Sequence, residues 1–265
     1  MALEVSQKFK GRKRLIFFKW FFLILIILAV SFVGSIYALG RAFRLNKIEV
    51  AGNERVSAGD IQTKVTDLLA GGLFPLWPEE NILFLSPENI AENIKSQFSA
   101  IDQITIRRDF LNRILRINIK ERDSWAVWCS EKCFYLDSSG VIFQPAPQFF
   151  GDLVLKITDK RAENFNLGDT VIAKETLRKL EGFISGIKNK NSFYVKTAEI
   201  LPGPTFWLYA DSGLKIILDN ETDFERALEN FQIFTNSFPE KKLQTMDYVD
   251  LRFNDRTFYK SLPVF

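Results

Sequence analysis

The side chains that could do chemistry in this chain are few. It has 265 residues, no histidine and two cysteines, Cys129 and Cys133. Without imidazole, Ser-His-Asp, Cys-His and His-zinc sites are excluded, because histidine is the commonest general base and metal ligand. Two thiolates alone do not complete a tetrahedral zinc site. The cysteines lie in Trp128-Cys129-Ser130-Glu131-Lys132-Cys133-Phe134, two apolar runs flanking a short polar turn. A disulfide across a tight hairpin is geometrically plausible there, and an oxidising, exported setting favours it; a reducing setting leaves two free thiols. Acids are plentiful, and paired carboxylates can hydrolyse glycans. These acids, however, fall mostly in helix first turns, polar strand faces and loops, where capping and solvation account for them. No P-loop, nucleophile elbow or phosphate-cradling glycine run is present. The residues therefore point to no catalytic group, no metal, no cofactor and no small-molecule substrate, and to binding through surfaces.

The elements that must carry such surfaces divide around one stretch. From Trp20 to Leu39 there is no charged residue, and about 20 helical residues at ~1.5 Å each cover the ~30 Å hydrocarbon core of a bilayer. Lys8, Lys10, Arg12, Lys13, Arg14 and Lys19 crowd the N-terminal side, against Arg41, Arg44 and Lys47 on the other. The positive-inside rule then places the N-terminus in the cytoplasm and exports the bulk of the chain. A cleaved signal peptide fits less well, since the stretch exceeds the usual h-region and no clear A-x-A site follows. The net charge of +3 resolves into +5 on residues 1–19 and −2 beyond. A near-neutral exported part disfavours nucleic acid, and the basic end is explained by topology and anionic lipid.

Beyond the span, Leu45 to Val50 reads as a strand ending in a Gly52-Asn53 turn. Ser57 caps a helix with Ile61, Val65, Leu68 and Leu69 on one face, stopped by Gly71-Gly72. Leu73 to Pro78 is an apolar loop that two prolines keep from being helical. Ser86-Pro87 opens a second helix with Ile90, Ile94 and Phe98 inward, and strands 102–108 and 113–121 follow. The unit reads β-α-α-β-β. From Asp123 onward, strands are expected at 126–129, 133–137, 141–143, 153–158, 194–200, 205–210 and 214–218. A helix over 171–188 is capped by Thr170, and Thr222-Asp223-Phe224-Glu225 forms a capping box for a helix ending near Pro239. The class is α+β: one transmembrane helix, a β-α-α-β-β domain, and a mixed or antiparallel β domain with two amphipathic helices.

The residues also carry a resemblance. Ile48-Glu49-Val50-Ala51-Gly52-Asn53, Asn81-Ile82-Leu83-Phe84-Leu85, Ile104-Thr105-Ile106-Arg107-Arg108 and Ile117-Asn118-Ile119-Lys120-Glu121-Arg122 look like successive signatures of a POTRA domain. Trp125-Ala126-Val127-Trp128, Tyr135 to Phe143 and Tyr248-Val249-Asp250-Leu251-Arg252 are similar to the β domain of the FtsQ/DivIB family of bitopic cell-division proteins. The boundaries are then 1–18 for a cytoplasmic tail, 19–40 for the span, 44–122 for the POTRA domain, 123–261 for the β domain and 262–265 for a short tail.

The terminal strand pattern predicts Val249, Leu251 and Phe253 toward the core, with Tyr248, Asp250 and Arg252 outward and Phe258 and Tyr259 nearby. These residues either complete a sandwich face or form an open edge, and the pattern does not choose. The resemblance implies the edge. It carries over Tyr248, Asp250, Arg252, Phe253, Phe258 and Tyr259 as contacts for FtsB/FtsL-like coiled-coil partners, with FtsW/FtsI-like septal synthases organised indirectly. It also implies a recruitment role for Ile48, Glu49, Val50, Gly52 and Asn53. The other functions considered are an exported POTRA adaptor in secretion or envelope assembly, and a membrane-anchored wall hydrolase.

Thiol titration of denatured, unreduced protein separates the two cysteine states: a Cys129–Cys133 bond leaves no free thiol, and two free thiols reject it.

Overall fold

The computed structural model describes residues 2–70, 81–83, 85–148, 154–161, 163–190, 193–203 and 205–262. Its first element is a single helix, α1 (Ala2–Ala42). Within it Phe17–Ala38 is long and apolar enough to cross a membrane, and none of that stretch is buried in protein. Ser35 donates its hydroxyl to the Ser31 carbonyl at 2.8 Å, satisfying a polar group that lipid could not. The basic segment expected as a separate tail continues the same helix. No proline interrupts it, and Lys, Arg and Leu are good helix formers.

The chain forms two compact units, Met1–Lys95 with Gln103–Lys120, and Ser96–Asp102 with Glu121–Phe265. The first unit contains β1 (Lys47–Ala51), α2 (Ala58–Ala70) and the larger parts of α3 (Pro87–Gln97), β2 (Ile101–Asp109) and β3 (Ile114–Glu121). The strand order is β1-β3-β2. β1 runs parallel to β3, with Lys47 opposite Ile114 and Ala51 opposite Asn118. Alternation along the central strand buries Leu115, Ile117 and Ile119, and the helices bring Ile61, Val65, Leu69, Ile90 and Ile94 to the core. Ser57 and Ser86 cap as expected, accepting from the amides of Asp60 and Asn89. Phe98 is only half-buried. Gly71-Gly72 and the Leu73 to Pro78 loop lie outside the described residues.

Among the described residues the second unit is built on one nine-stranded sheet, not a sandwich. Its strands are β4 (Ala126–Cys129), β5 (Cys133–Leu136), β6 (Ile142–Pro145), β7 (Leu155–Asp159), β8 (Val195–Leu201), β9 (Thr205–Ala210), β10 (Lys215–Asp219), β11 (Met246–Asp250) and β12 (Phe258–Ser261). Their order is β12-β11-β10-β9-β8-β7-β4-β5-β6. Between β7 and β8 lies α4 (Lys174–Lys190), and between β10 and β11 lie α5 (Phe224–Asn236) and the short α6 (Glu240–Leu243). Both interrupted pairs are parallel, and a parallel pair needs a crossover connection of this kind. Leu177, Leu180, Phe183 and Ile187 of α4, with Phe224, Ala227, Phe231 and Phe234 of α5, join the alternate residues of β8, β9 and β10 in one core. Phe183 packs edge-on against Phe224 and Phe231. Cys129 and Cys133 face each other in the β4–β5 register and are disulfide-bonded, with Cα atoms 4.1 Å apart.

Both helix starts differ from expectation. α4 begins at Lys174, because Val171 and Ile172 drop into the core ahead of it, and Thr170 bridges Val141 instead of capping. α5 is capped by Asp223, whose carboxylate accepts from the Glu225 and Arg226 amides. Thr222 is not the cap: its hydroxyl closes the turn after β10 by donating to Asp219 Oδ1 at 2.7 Å. A local side-chain turn has outcompeted the capping box.

Gly52 leaves β1 at φ +81°, and a Cβ there would come within 2.2 Å of the Ile119 carbonyl oxygen. Gly213 has φ +88° with nothing within 4 Å of a Cβ. Gly52→Ala should therefore lower the unfolding midpoint well beyond the roughly 1 kcal/mol that conformational strain alone costs. Gly213→Ala should cost only that strain; equal midpoint losses in thermal melts would contradict the close-packing account.

Candidate functional site

A sheet exposes hydrogen-bonding groups only at its edges, so the second unit has two places where an extended segment could add. One is closed. Along β6 the Ile142 amide donates to the Asp169 carbonyl at 3.1 Å, and the Gly168 amide donates to the Ile142 carbonyl at 2.7 Å. Val141 bridges Thr170, and Pro145 has no N–H to offer. The other edge is β12. All four of its residues are exposed, it pairs with β11 alone, and no other backbone hydrogen bond reaches 258–261 among the described residues.

The strand beneath is firmly held. β11 pairs in parallel with β10, Tyr248 opposite Lys215 and Val249 opposite Ile216, and the Leu251 amide donates to the Ile217 carbonyl at 3.0 Å. Val249 and Leu251 are in the core. Successive side chains of β12 point to opposite faces, which gives its two aromatics different neighbours. Tyr259 packs with Phe234 and Phe238, ring centroids 5.5 and 5.3 Å away. Phe258 meets Phe253 edge-on at 5.3 Å. Phe253, Phe258 and Tyr259 are 46%, 49% and 48% exposed, so each offers about half a ring to a partner. Lys260 pairs with Asp247 at 3.6 Å.

Two expected orientations are reversed. Phe253 is on the surface, not in the core, because β11 ends at Asp250 and strand alternation no longer applies at 253. Asp250 is buried, not outward. It accepts from Arg252 Nε at 2.9 Å and Nη2 at 2.6 Å, and from the Arg252 amide at 3.2 Å. Arg252 is raised above its ordinary pKa by that carboxylate, with burial opposing. Asp250 and Arg252 thus hold each other and shape the exit from β11, while Tyr248 stays half-buried.

The same Asp-x-Arg device ends β7, a feature not anticipated from sequence although the spacing is visible there. Asp159 accepts from the Arg161 amide, Nε and Nη2 and from the Trp128 indole at 3.2 Å. Burial pushes the Asp159 carboxyl up, but the Arg161 and Trp128 hydrogen bonds outweigh it and hold it below the ordinary carboxylate range. Arg161 Nη2 also donates to the Val171 carbonyl at 2.8 Å, tying β7 to the segment before α4. On β9, burial and then the Glu199 carboxylate push the Tyr209 phenol up to about 12.

Residues 48–53 belong to the first unit and β12 to the second. Ile48 and Val50 are half-buried on the edge strand β1. Gln62 donates to the Ile48 carbonyl at 3.0 Å, and Asn53 donates to the Val56 carbonyl at 3.1 Å. Glu49 is paired with Lys47 at 3.1 Å and Arg116 at 3.3 Å; the Lys47 hydrogen bond leads in lowering its carboxyl pKa. Gly52 and Asn53 are accounted for by the turn itself.

Comparison with protein families matches residues 43–122 to "POTRA domain, FtsQ-type" and residues 126–252 to "Cell division protein FtsQ/DivIB, C-terminal". The chain belongs to the FtsQ/DivIB family. It is accordingly a cell-division protein, and with α1 a single-pass membrane protein. A search of curated proteins finds no match. The FtsQ/DivIB C-terminal match stops at residue 252, so Phe253, Phe258 and Tyr259 lie outside the matched residues.

The depressed Asp159 carboxyl contributes stability that is fully present above its unfolded-state pKa and is lost as pH falls through its folded-state value. Asp159→Asn should flatten the acid-range decline in stability and cost about 3 kcal/mol at neutral pH. Denaturant titrations followed by tryptophan fluorescence check both; an unchanged acid slope would assign the decline to other carboxylates.

Proposed function

We propose that this FtsQ/DivIB-family chain is a non-enzymatic divisome scaffold. Its N-terminus is cytoplasmic, the domains beyond α1 are extracytoplasmic, and it works at the division septum without a cofactor. FtsB/FtsL-like bitopic proteins add an extended segment to β12, with Phe258, Tyr259 and Phe253 as aromatic anchors and Tyr248 in support. Asp250 and Arg252 act beneath them, by keeping β11 and its exit in shape. FtsW/FtsI-like septal synthases are organised indirectly, through those partners. Holding partners beside one membrane turns weak pairwise contacts into local ones at high effective concentration. The β1 segment around Ile48, Glu49 and Val50 serves recruitment.

The observation that carries this reading is the asymmetry of the two sheet edges. β6 is closed by the 168–170 segment and by Pro145, whereas β12 is exposed throughout and carries aromatic rings on both faces. Main-chain hydrogen bonds supply affinity in strand addition, and side-chain pockets supply specificity.

Phe258→Lys is the clean test, because Phe258 touches the surface residue Phe253. Tyr259→Lys also removes packing on Phe234 and Phe238 and should lower stability. Loss of an interface anchor costs about 2 kcal/mol or more, roughly 30-fold in affinity. Phe258→Lys should therefore weaken capture of an FtsB-like partner by that order with an unchanged circular dichroism spectrum. Undiminished capture places the binding edge elsewhere.

A further inference from the structure

The hairpin joining β2 and β3 carries a feature that neither the fold nor the proposed partner edge uses. At its tip Leu111 is 95% exposed and Phe110 is 42% exposed, and Arg113 is held at φ +57°. The sequence around it, Arg107-Arg108-Asp109-Phe110-Leu111-Asn112-Arg113, surrounds two apolar residues with arginine.

Topology places this tip at one end of the unit. Because β1 is parallel to β3, the start of β1 lies beside the start of β3: Lys47 is opposite Ile114, and the Asn46 amide donates to the Arg113 carbonyl at 2.8 Å. The chain enters β1 directly from α1, and the segment between them is anchored to the same unit by the Ile82 amide donating to the Phe43 carbonyl at 3.0 Å. The apolar stretch of α1 ends at Ala38. From there to Asn46 the path is four helical residues and four extendable ones, at most about 20 Å. The headgroup layer occupies roughly 5–8 Å of that distance. Leu111 lies beyond Arg113, at the turn where β2 reverses into β3.

The charges sort by what they touch. Arg108 donates to the Leu83 and Leu85 carbonyls and lies over the Phe110 ring at 5.3 Å, so it braces the tip. Arg116 reaches Asp109 at 3.0 Å and Glu49 at 3.3 Å, neutralising the acids at this end. Arg41, Arg44, Arg107 and Arg113 are exposed. An apolar point rimmed by exposed guanidinium groups, within reach of a bilayer the same chain crosses, fits the headgroup boundary of an anionic membrane.

We infer that the β2–β3 hairpin tip is a membrane-interface contact, in which Leu111 and Phe110 enter the headgroup layer and Arg107 and Arg113 bind anionic phospholipid. This makes a second attachment of the first unit to the bilayer and restricts its rotation about the end of α1. It rests on α1 being inserted and is independent of the β12 reading.

The test uses the full chain in vesicles of phosphatidylcholine with phosphatidylglycerol. A nitroxide is placed at Leu111→Cys, with Lys120→Cys at the far end of β3 as the aqueous reference and Leu28→Cys inside the span. The expected result is an oxygen-to-nickel-chelate accessibility ratio several-fold higher at 111 than at 120. Substituting both Arg107 and Arg113 with Glu, or using phosphatidylcholine alone, should lower it toward the reference. Equal ratios at 111 and 120, with the label at 28 reporting insertion, overturn the inference. So does exclusion of both reagents at 111, which indicates a protein contact. A ratio at 111 indifferent to lipid charge overturns the anionic-lipid assignment. An aqueous label at 28 locates the failure in the span instead.

Discussion

The second unit depends on the burial of two helical stripes against one face of its sheet. Leu177, Leu180, Phe183 and Ile187 on α4, and Phe224, Ala227, Phe231 and Phe234 on α5, meet the alternate residues of β8, β9 and β10. At about 25 cal/mol per Å² of apolar surface, burial of this kind is the dominant favourable contribution to the fold. The α4 helix connects parallel β7 and β8, and α5 and α6 connect parallel β10 and β11, the crossover that a parallel pair needs. On the other side of β11 lies β12, the outermost strand.

Two buried carboxylates are closed by neighbouring donors: Asp159 by Arg161 and Trp128, and Asp250 by Arg252. Charges removed from water are tolerated only when paired and hydrogen-bonded, and both clamps stand where a strand ends. The hydrogen-bonding groups of β12 have no such closure on their outer side among the described residues. The proposed partner edge is thus the part of the sheet that the chain leaves unfinished, next to rings that are each half covered.

In the first unit a single parallel pairing has the comparable role. β1 arrives from α1 and aligns with β3, which puts the 110–113 turn at the end of the sheet from which the chain enters. An antiparallel β1 would have carried that turn to the opposite end. The exposure of Leu111 is then more than a scattered surface hydrophobe, because its position relative to the apolar helix is set by backbone hydrogen bonds.

Much of this was legible in the residues alone. The apolar stretch in α1, the β-α-α-β-β order, the serine caps at 57 and 86, and most strand positions follow from periodicity and capping, which are local properties. So did the aromatic character of the terminal hairpin. The exceptions are places where a competing contact or a strand end overrode the pattern, long-range for Val171 and Ile172 and local for Thr222, Phe253 and Asp250. Val171 and Ile172 left the expected helix for the core, Thr222 closed a turn instead of capping, Phe253 surfaced once its strand had ended, and Asp250 turned to Arg252. Which edge stays open, and which end of the first sheet holds the Arg-flanked turn, are facts of strand order and direction. By itself the sequence determined the elements and the side chains they carry. Only the tertiary structure decided which of those side chains share an edge, because strand pairing joins residues that no local periodicity connects.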